Sequence, residues 1–420
     1  MHRVELLPHS CSVRGTAACD QPSRRASSVL SQGVRVTCEC TCLPSAKGCL
    51  WLPVHTPAAI RLNVENVNGA VSVDMATMEK MSSEEFSAQV DKLTHFHEQK
   101  PIRDIRVVGV MQWGLMPFIA FFLTFWILSY PILWPVSILY LIYMFADPSP
   151  ERAGKQPSWT RKSTLFRWFA DYFPFKVHKT ADLDPSGNYL FGYHPHGIFG
   201  FGTVCAFSTR AAGFDEKFPG LKPHVLTLHQ NFLLPFYREY LMLFGLRSVS
   251  RKSCDTILQS GPGESIVIVV GGAQESLAAH SGYMDLTLKR RKGFVKVALS
   301  TGASLVPVIS FGENELFYQL KNDRQSTLYK VQQKLKSLFG FTVPILIGRG
   351  FSHFYYGWVP YCRPVNVVIG APIPVQKTPN ATPEQVDALH EQYVQALVKL
   401  WDEHKDTYAP HRIADIRLVD

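Results

Sequence analysis

The sequence predicts an α/β domain preceded by a membrane-embedded helical hairpin, and three observations predict it. From residue 189 onward, short β-branched runs alternate with helical stretches, the arrangement of strands and helices that share one sheet. Residues 107 to 146 carry no charged side chain and are filled with Phe, Leu, Ile, Trp and Tyr, which leaves no polar face for a soluble helix. Hydrophobic residues make up 46% and charged residues only 18% of the chain, enough apolar material for a sizeable core.

Residues 1–75 show little periodicity and many Ser, Arg and Cys, with no charged-then-apolar order that would make a cleavable signal peptide. They are expected to be disordered or to precede the true start, for which Met75, Met78 and Met81 stand ready. Cys38, Cys40 and Cys42 alternate with Glu39 and Thr41, closer together than the ligands of tetrahedral metal sites, so no metal is expected. Beyond residue 50 only Cys205, Cys254 and Cys362 remain, a usage that suits a reducing compartment.

Residues 76–106 read as a polar cytosolic segment and 107–146 as the hairpin. A crossing needs ~20 apolar residues, so this run has room for two short crossings or a re-entrant pair. Ser129, Tyr130, Pro131 and Pro135 mark the bend. Lys100, Arg103 and Arg106 stand before it, and Arg152, Lys155, Arg161 and Lys162 after it, which puts both flanks in the cytosol. The competing reading is a hairpin buried in a soluble core. Next, Trp159 to Pro174 interleaves aromatic and basic residues, as either an interfacial helix or a packed linker would.

Residues 147–420 are assigned to one catalytic domain. Buried strands are expected at Ser265–Val270, Ser304–Ser310 and Val365–Ile369, and a helix at Leu288–Ser300. Thr382-Pro383-Glu384-Gln385 is a capping box opening a last helix. Val386, Leu389, Tyr393, Ala396, Leu397 and Leu400 line one face of it, which reads as packing. Asn380-Ala381-Thr382 is a glycosylation sequon, without effect on a cytosolic face.

The chemistry centres on Tyr189 to Gly202, Y-L-F-G-Y-H-P-H-G-I-F-G-F-G, a buried run that breaks into a tight turn. Pro195 fixes the backbone between His194 and His196, and Gly197 lets it approach a ligand closely. A positioned histidine is the usual general base at neutral pH, and no ligand set at zinc spacing surrounds these two. A base needs an orienting acceptor, and Glu275 in G-G-A-Q-E-S is the best carboxylate because it too leaves a strand end through glycines. Backbone N–H groups around Gly197, Gly271 and Gly272 are candidates for an oxyanion hole.

The net charge of +9 suits nucleic acid, an anionic membrane or a phosphate-bearing ligand. No nucleic-acid motif occurs and the basic residues are dispersed, which leaves the last two. Arg291 and Lys292, in the run Lys289 to Lys296, and Arg349 are candidates to hold phosphates. No G-x-S-x-G elbow, P-loop or H-E-x-x-H is present to support a hydrolase or a nucleoside triphosphatase.

Five blocks carry a resemblance: Y-H-P-H-G at Tyr193 to Gly197, P-F-Y-R-E-Y at Pro235 to Tyr240, V-V-G-G-A-Q-E-S at Val269 to Ser276, R-K-G-F-V-K-V-A-L at Arg291 to Leu299, and L-V-P-V-I-S-F-G-E-N-E at Leu305 to Glu315. In this order they resemble the type-2 diacylglycerol acyltransferase family, which includes monoacylglycerol and wax-alcohol acyltransferases, from about Val107 to Leu400. The resemblance implies a glycerolipid-acyltransferase-like α/β domain in the endoplasmic reticulum membrane, with lipid droplets a further location. It also implies acyl transfer from acyl-CoA to diacylglycerol, with His196 as the base and no cofactor beyond the acyl-CoA substrate. The same residues would serve a monoacylglycerol or long-chain alcohol acceptor, and a non-catalytic lipid-transfer protein is the alternative of another class. Two departures stand out. No aspartate follows His196 with four residues between, as in the H-x4-D pattern of glycerolipid acyltransferases, which leaves orientation to Glu275. In the neutral-lipid motif F-L-x-L-x-x-x-N, Phe122 and Leu123 match but Phe125 and Ser129 replace Leu and Asn.

Overall fold

The computed structural model describes residues 105–319, 346–350 and 356–419, residues 330, 332 and 334, and the backbone of short strands between Ser23 and Asp74. The chain divides into two compact units, Met1–Glu98 and Gln99–Asp420. In the first, Ser23–Leu30, Val34–Thr41, Ile60–Asn66 and Gly69–Asp74 pair antiparallel in that order. The alternation V-R-V-T-C-E-C-T over Val34–Thr41 is a strand signal that the reading of residues 1–75 as disordered passes over. Cys42, the side chains of Cys38 and Cys40, and the polar stretch 76–104 lie outside the described residues.

The second unit opens with the charge-free run as two helices, α1 (Val107–Leu128) and α2 (Trp134–Ala146), joined by a 3-10 turn at Pro131–Leu133. At 1.5 Å per residue α1 spans ~33 Å, about one hydrocarbon thickness. Pro131 opens the turn, and Pro135 falls in the first turn of α2, where a missing N–H costs nothing. The soluble-core alternative fails on burial. α1 buries Val107, Val110 and Trp113 near its start, while Phe122, Ile132, Val136, Leu139 and Phe145 stand bare and α2 buries only Met144. Two apolar helices of this kind mark a membrane-associated protein.

The aromatic-basic stretch that follows splits into a short turn, Ser158–Arg161, and α3 (Thr164–Tyr172), capped by the Ser163 hydroxyl. Phe166, Phe169, Ala170 and Tyr172 are buried, and Trp113 of α1 meets Phe166 edge-on at 6.2 Å. The packed-linker reading therefore holds for α3, with Trp159 and Leu165 left exposed.

The domain is built on seven strands: β1 (Lys176–Lys179), β2 (Tyr189–His194), β3 (Lys222–Thr227), β4 (Arg247–Ser248), β5 (Glu264–Val269), β6 (Ser304–Phe311) and β7 (Asn366–Ile369). Their order is β4-β3-β5-β2-β6-β7-β1. The first five run parallel, β7 is antiparallel to β6, and β1 is parallel to β7. The expected strands are present with ends shifted by a residue. The helix expected at Leu288–Ser300 forms only from Gly293, because Lys289 to Lys292 make a turn.

Period-two alternation sorts the core onto both sheet faces. Phe191, Tyr193, Val267, Val306 and Val308 pack toward α1 and α3. Leu190, Ile266, Leu305, Ile309 and Phe311 pack toward the helices of the other face, namely α5 (Arg251–Leu258), α6 (Gly293–Thr301) and α7 (Pro383–Tyr408), while α4 (Tyr237–Leu243) lies with the first group. The capping box of α7 forms as its sequence requires, and Val386, Leu389, Tyr393, Leu397 and Leu400 are buried.

If α2 lies in a bilayer, an arginine at its bare apolar face is costly, about 2.5–3.5 kcal/mol at a span centre. Leu139→Arg should shift the protein from the alkaline-carbonate-resistant membrane pellet to the supernatant, whereas Leu139→Phe should not.

Candidate active site

Three adjacent parallel strands, β5, β2 and β6, deliver the site at their carboxyl ends, where open α/β sheets place their ligands. β2 ends in His194 and continues into Pro195-His196-Gly197. Val269 pairs with Tyr193 on one side and Ile309 with His194 on the other. The chain after β5 turns through Gly271-Gly272 into Glu275, and the chain after β6 turns through Gly312 into Glu313. Both carboxylates therefore flank the histidine turn, about one strand spacing to each side.

His196 is half-buried and stands at the lip of this edge. Its Nδ1 lies 3.0 Å from the Gly197 carbonyl oxygen. That oxygen can only accept, so Nδ1 carries the proton and Nε2 presents a lone pair. Burial lowers the imidazole pKa, partly offset by the Gly197 carbonyl, which keeps the ring neutral. This is the state a general base requires.

Glu275 does not orient that ring, contrary to the sequence expectation. Its carboxylate accepts the main-chain N–H of His196 at 2.8 Å through Oε2 and that of Thr287 at 2.8 Å through Oε1. The side chain folds back over Gly271, where a Cβ would stand 1.9 Å from its carboxyl carbon, so only glycine fits. Glu275 thus fixes the backbone of the turn, and the Gly197 carbonyl fixes the imidazole. Burial raises the Glu275 pKa to about 7, opposed by its two backbone bonds and the nearby Arg291 cation.

His194 is also corrected. It is fully buried and faces α7, with Nε2 3.0 Å from the Tyr393 hydroxyl. That hydroxyl donates its one proton to the Gly192 carbonyl at 3.0 Å, so it accepts from His194 Nε2–H. Burial drives the His194 pKa down to about 3, and the ring is a neutral part of the core. Residues two apart on a strand share a face, so it is the end of β2 at His194 that separates the two rings, and the sequence alone did not show which histidine still belonged to the strand.

Glu313 is the residue sequence reasoning missed. It is buried beneath the turn and accepts from the hydroxyls of Tyr193 and Ser310, each at 3.1 Å, and from the Gly202 N–H at 3.1 Å. Gly197, at φ +60°, lies over it so closely that a Cβ would meet the Glu313 Cγ at 2.6 Å. Burial raises this carboxyl's pKa to about 7 as well. Its available signal was position, one glycine beyond a fully apolar strand in S-F-G-E-N-E, the same strand-glycine-glutamate order used to find Glu275.

The basic candidates belong to two elements, Arg291 and Lys292 just before α6 and Arg349 on a later short strand. Arg291 is exposed on the turn before α6, near enough to act on Glu275. Lys292 is paired with the exposed Asp387 of α7 at 2.6 Å. Arg349 lies on the short strand Leu346–Arg349, whose main chain bonds Val359. Gly272, at φ +57°, makes the turn into Glu275. Three residues after His196, half-exposed Phe199 stacks on Phe201 at 5.3 Å and meets Phe317 edge-on at 5.3 Å, an apolar cluster.

A neutral imidazole with one open nitrogen at the carboxyl end of the sheet, with two apolar helices in the same chain, makes this edge the candidate active site of a membrane-associated protein. The sequence model described as diacylglycerol acyltransferase matches residues 126–418. Diacylglycerol O-acyltransferase 2A of Umbelopsis ramanniana is 47% identical over 76% of this chain and 91% of its own length. Diacylglycerol O-acyltransferase 2 of Dictyostelium discoideum is 43% identical (75% and 96%), and 2-acylglycerol O-acyltransferase 1 of Bos taurus is 44% identical (73% and 93%). No solved structure matches. The chain belongs to the diacylglycerol acyltransferase family and is an acyltransferase of that class.

The two glutamates should respond differently to amide replacement. Both Glu275 oxygens face main-chain N–H groups that cannot reverse, so Glu275→Gln sets an NH2 against a donor, at a cost of ~1–3 kcal/mol. In Glu313→Gln the Tyr193 and Ser310 hydroxyls can turn to accept. Thermal unfolding in detergent should fall clearly for the first variant and little for the second, with transferase activity following the same order.

Proposed function

We propose that this protein transfers a fatty acyl group from acyl-CoA to the free hydroxyl of diacylglycerol, on a glycerolipid-acyltransferase-type fold in the endoplasmic reticulum membrane. The observation that carries the reading is His196, with Nδ1 committed to the Gly197 carbonyl and Nε2 left to take a proton. In the proposed step Nε2 removes the hydroxyl proton as that oxygen attacks the thioester carbonyl. The tetrahedral intermediate collapses with cleavage of the C–S bond, and the imidazolium returns its proton to the departing CoA sulfur. The ester and free CoA account for every atom, with no covalent enzyme intermediate.

General-base assistance of this kind is worth ~10²- to 10⁴-fold. The main-chain N–H groups of Gly197 and of Gly271-Gly272 are the candidates to receive the oxyanion, and their rigidity comes from the carboxylates behind them. Phe199 offers an apolar surface to an acyl chain. Arg291 is the best-placed cation for CoA phosphates, with Arg349 a second candidate. Both ends of the hairpin would lie on the cytosolic side, where acyl-CoA is available, and lipid-droplet surfaces are a further location.

A second acceptor is favoured by one observation, the 44% identity to a relative named 2-acylglycerol O-acyltransferase 1. Membranes carrying the protein, labelled acyl-CoA and a panel of mono- and diacylglycerol and fatty-alcohol acceptors decide it by product class. Triacylglycerol as the main product supports the reading, and a preference for another acceptor overturns it.

His196→Ala should lower kcat at least ~10²-fold while acyl-CoA binding persists. The base must be neutral to act, and burial lowers its pKa, so activity should extend further into acid than an ordinary histidine allows. An acidic limb of kcat/KM lying above the usual histidine range would reject His196 as the base.

A further inference from the structure

The segment P-F-Y-R-E-Y, which the chemistry at His196 does not use, grips both hairpin helices. The Tyr240 hydroxyl donates to Gln112 Oε1 of α1 at 2.6 Å. Tyr140 of α2 donates its hydroxyl proton to Glu239 Oε2 at 2.6 Å, accepts the Phe236 N–H at 3.0 Å, and stacks its ring on Phe236 at 5.5 Å. Arg238, 1% exposed, pairs with the Asp147 carboxylate just beyond α2 and donates to the Asp147 carbonyl at 3.2 Å. Its guanidinium also lies 5.6 Å from the centre of the Tyr143 ring and donates to Glu239 at 3.2 Å. Among the described residues, every hydrogen bond from α2 and Asp147 to a residue beyond Ser149 ends on this segment.

Its place in the fold gives these bonds a purpose. The segment follows β3 through the turn His229–Leu233, so it stands at the carboxyl edge of the sheet. β2 presents His196 at that same edge, with only β5 between β2 and β3. α1 is also held by packing of Val107, Val110 and Trp113, but α2 buries only Met144, so polar bonds carry most of its attachment to the domain.

We propose that Pro235–Tyr240 is a clamp that holds the hairpin against the catalytic edge and so presents His196 to an alcohol embedded in the bilayer. The proposal rests on the diacylglycerol reading above. Arg238, Glu239 and Tyr240 act as positioning residues: capture of the membrane-borne acceptor depends on them, whereas the acyl-transfer step does not.

Full-length wild type, Tyr140→Phe and Arg238→Lys, each reconstituted in phosphatidylcholine vesicles, provide the test. Initial rates are measured with long-chain dioleoylglycerol placed in the vesicle and with short-chain dioctanoylglycerol added from water, alongside amide exchange over residues 236–243. Both variants should raise KM for dioleoylglycerol about tenfold, keep kcat for dioctanoylglycerol within about twofold, and exchange faster in the clamp. Equal losses on both acceptors, or an unchanged dioleoylglycerol KM, would overturn the proposal. Tyr140→Phe removes a single oxygen and guards against a folding failure of Arg238→Lys. Wild type inactive on both acceptors would reject the diacylglycerol reading, and unchanged clamp exchange would then reject the clamp separately.

Discussion

A carboxylate placed under a protein surface must find donors or lose its charge, and here two of them each take one donor from the same loop. Glu275 holds the His196 main chain from the β5 side, and Glu313 holds Gly202 while packing against Gly197 from the β6 side. The turn that carries His196 is thus tied at both ends to neighbouring strands. Removing charge from water is costly, and here the return is a backbone fixed before substrate arrives, which is how preorganised polar groups assist catalysis.

The division of labour between the two histidines follows from this frame. His194 ends a strand buried on both faces, and its ring is taken into a relay with Tyr393 and the Gly192 carbonyl. His196 has left the strand, so its ring is free of the core and is aimed by the carbonyl of the next residue. Two identical side chains separated by one proline therefore differ in burial and tautomer.

Much of this was legible beforehand. The charge-free run gave both hairpin helices, and the turn residues gave the bend, because a span and its proline break are local properties. The histidine turn and the G-G-A-Q-E-S turn could be paired because each follows a buried strand. Which atoms meet could not be read. Glu275 bonds a main-chain N–H, for which no side-chain pattern exists, and Lys292 finds Asp387 across ninety-five positions of sequence. Tyr393 looked like one more apolar position on a helix face, and only the packing of α7 brings its hydroxyl to His194.

Composition, spacing and local chemistry by themselves determined the α/β class, the hairpin and the last helix with its capping box, since each depends on residues close in sequence, while the family was legible through the resemblance of five sequence blocks. Tertiary structure decided that His196 and not His194 faces outward, that Glu313 joins Glu275 beneath the turn, and that P-F-Y-R-E-Y meets the hairpin. Those outcomes depend on strand order and register, which bring together groups more than seventy residues apart, and no local preference encodes that distance.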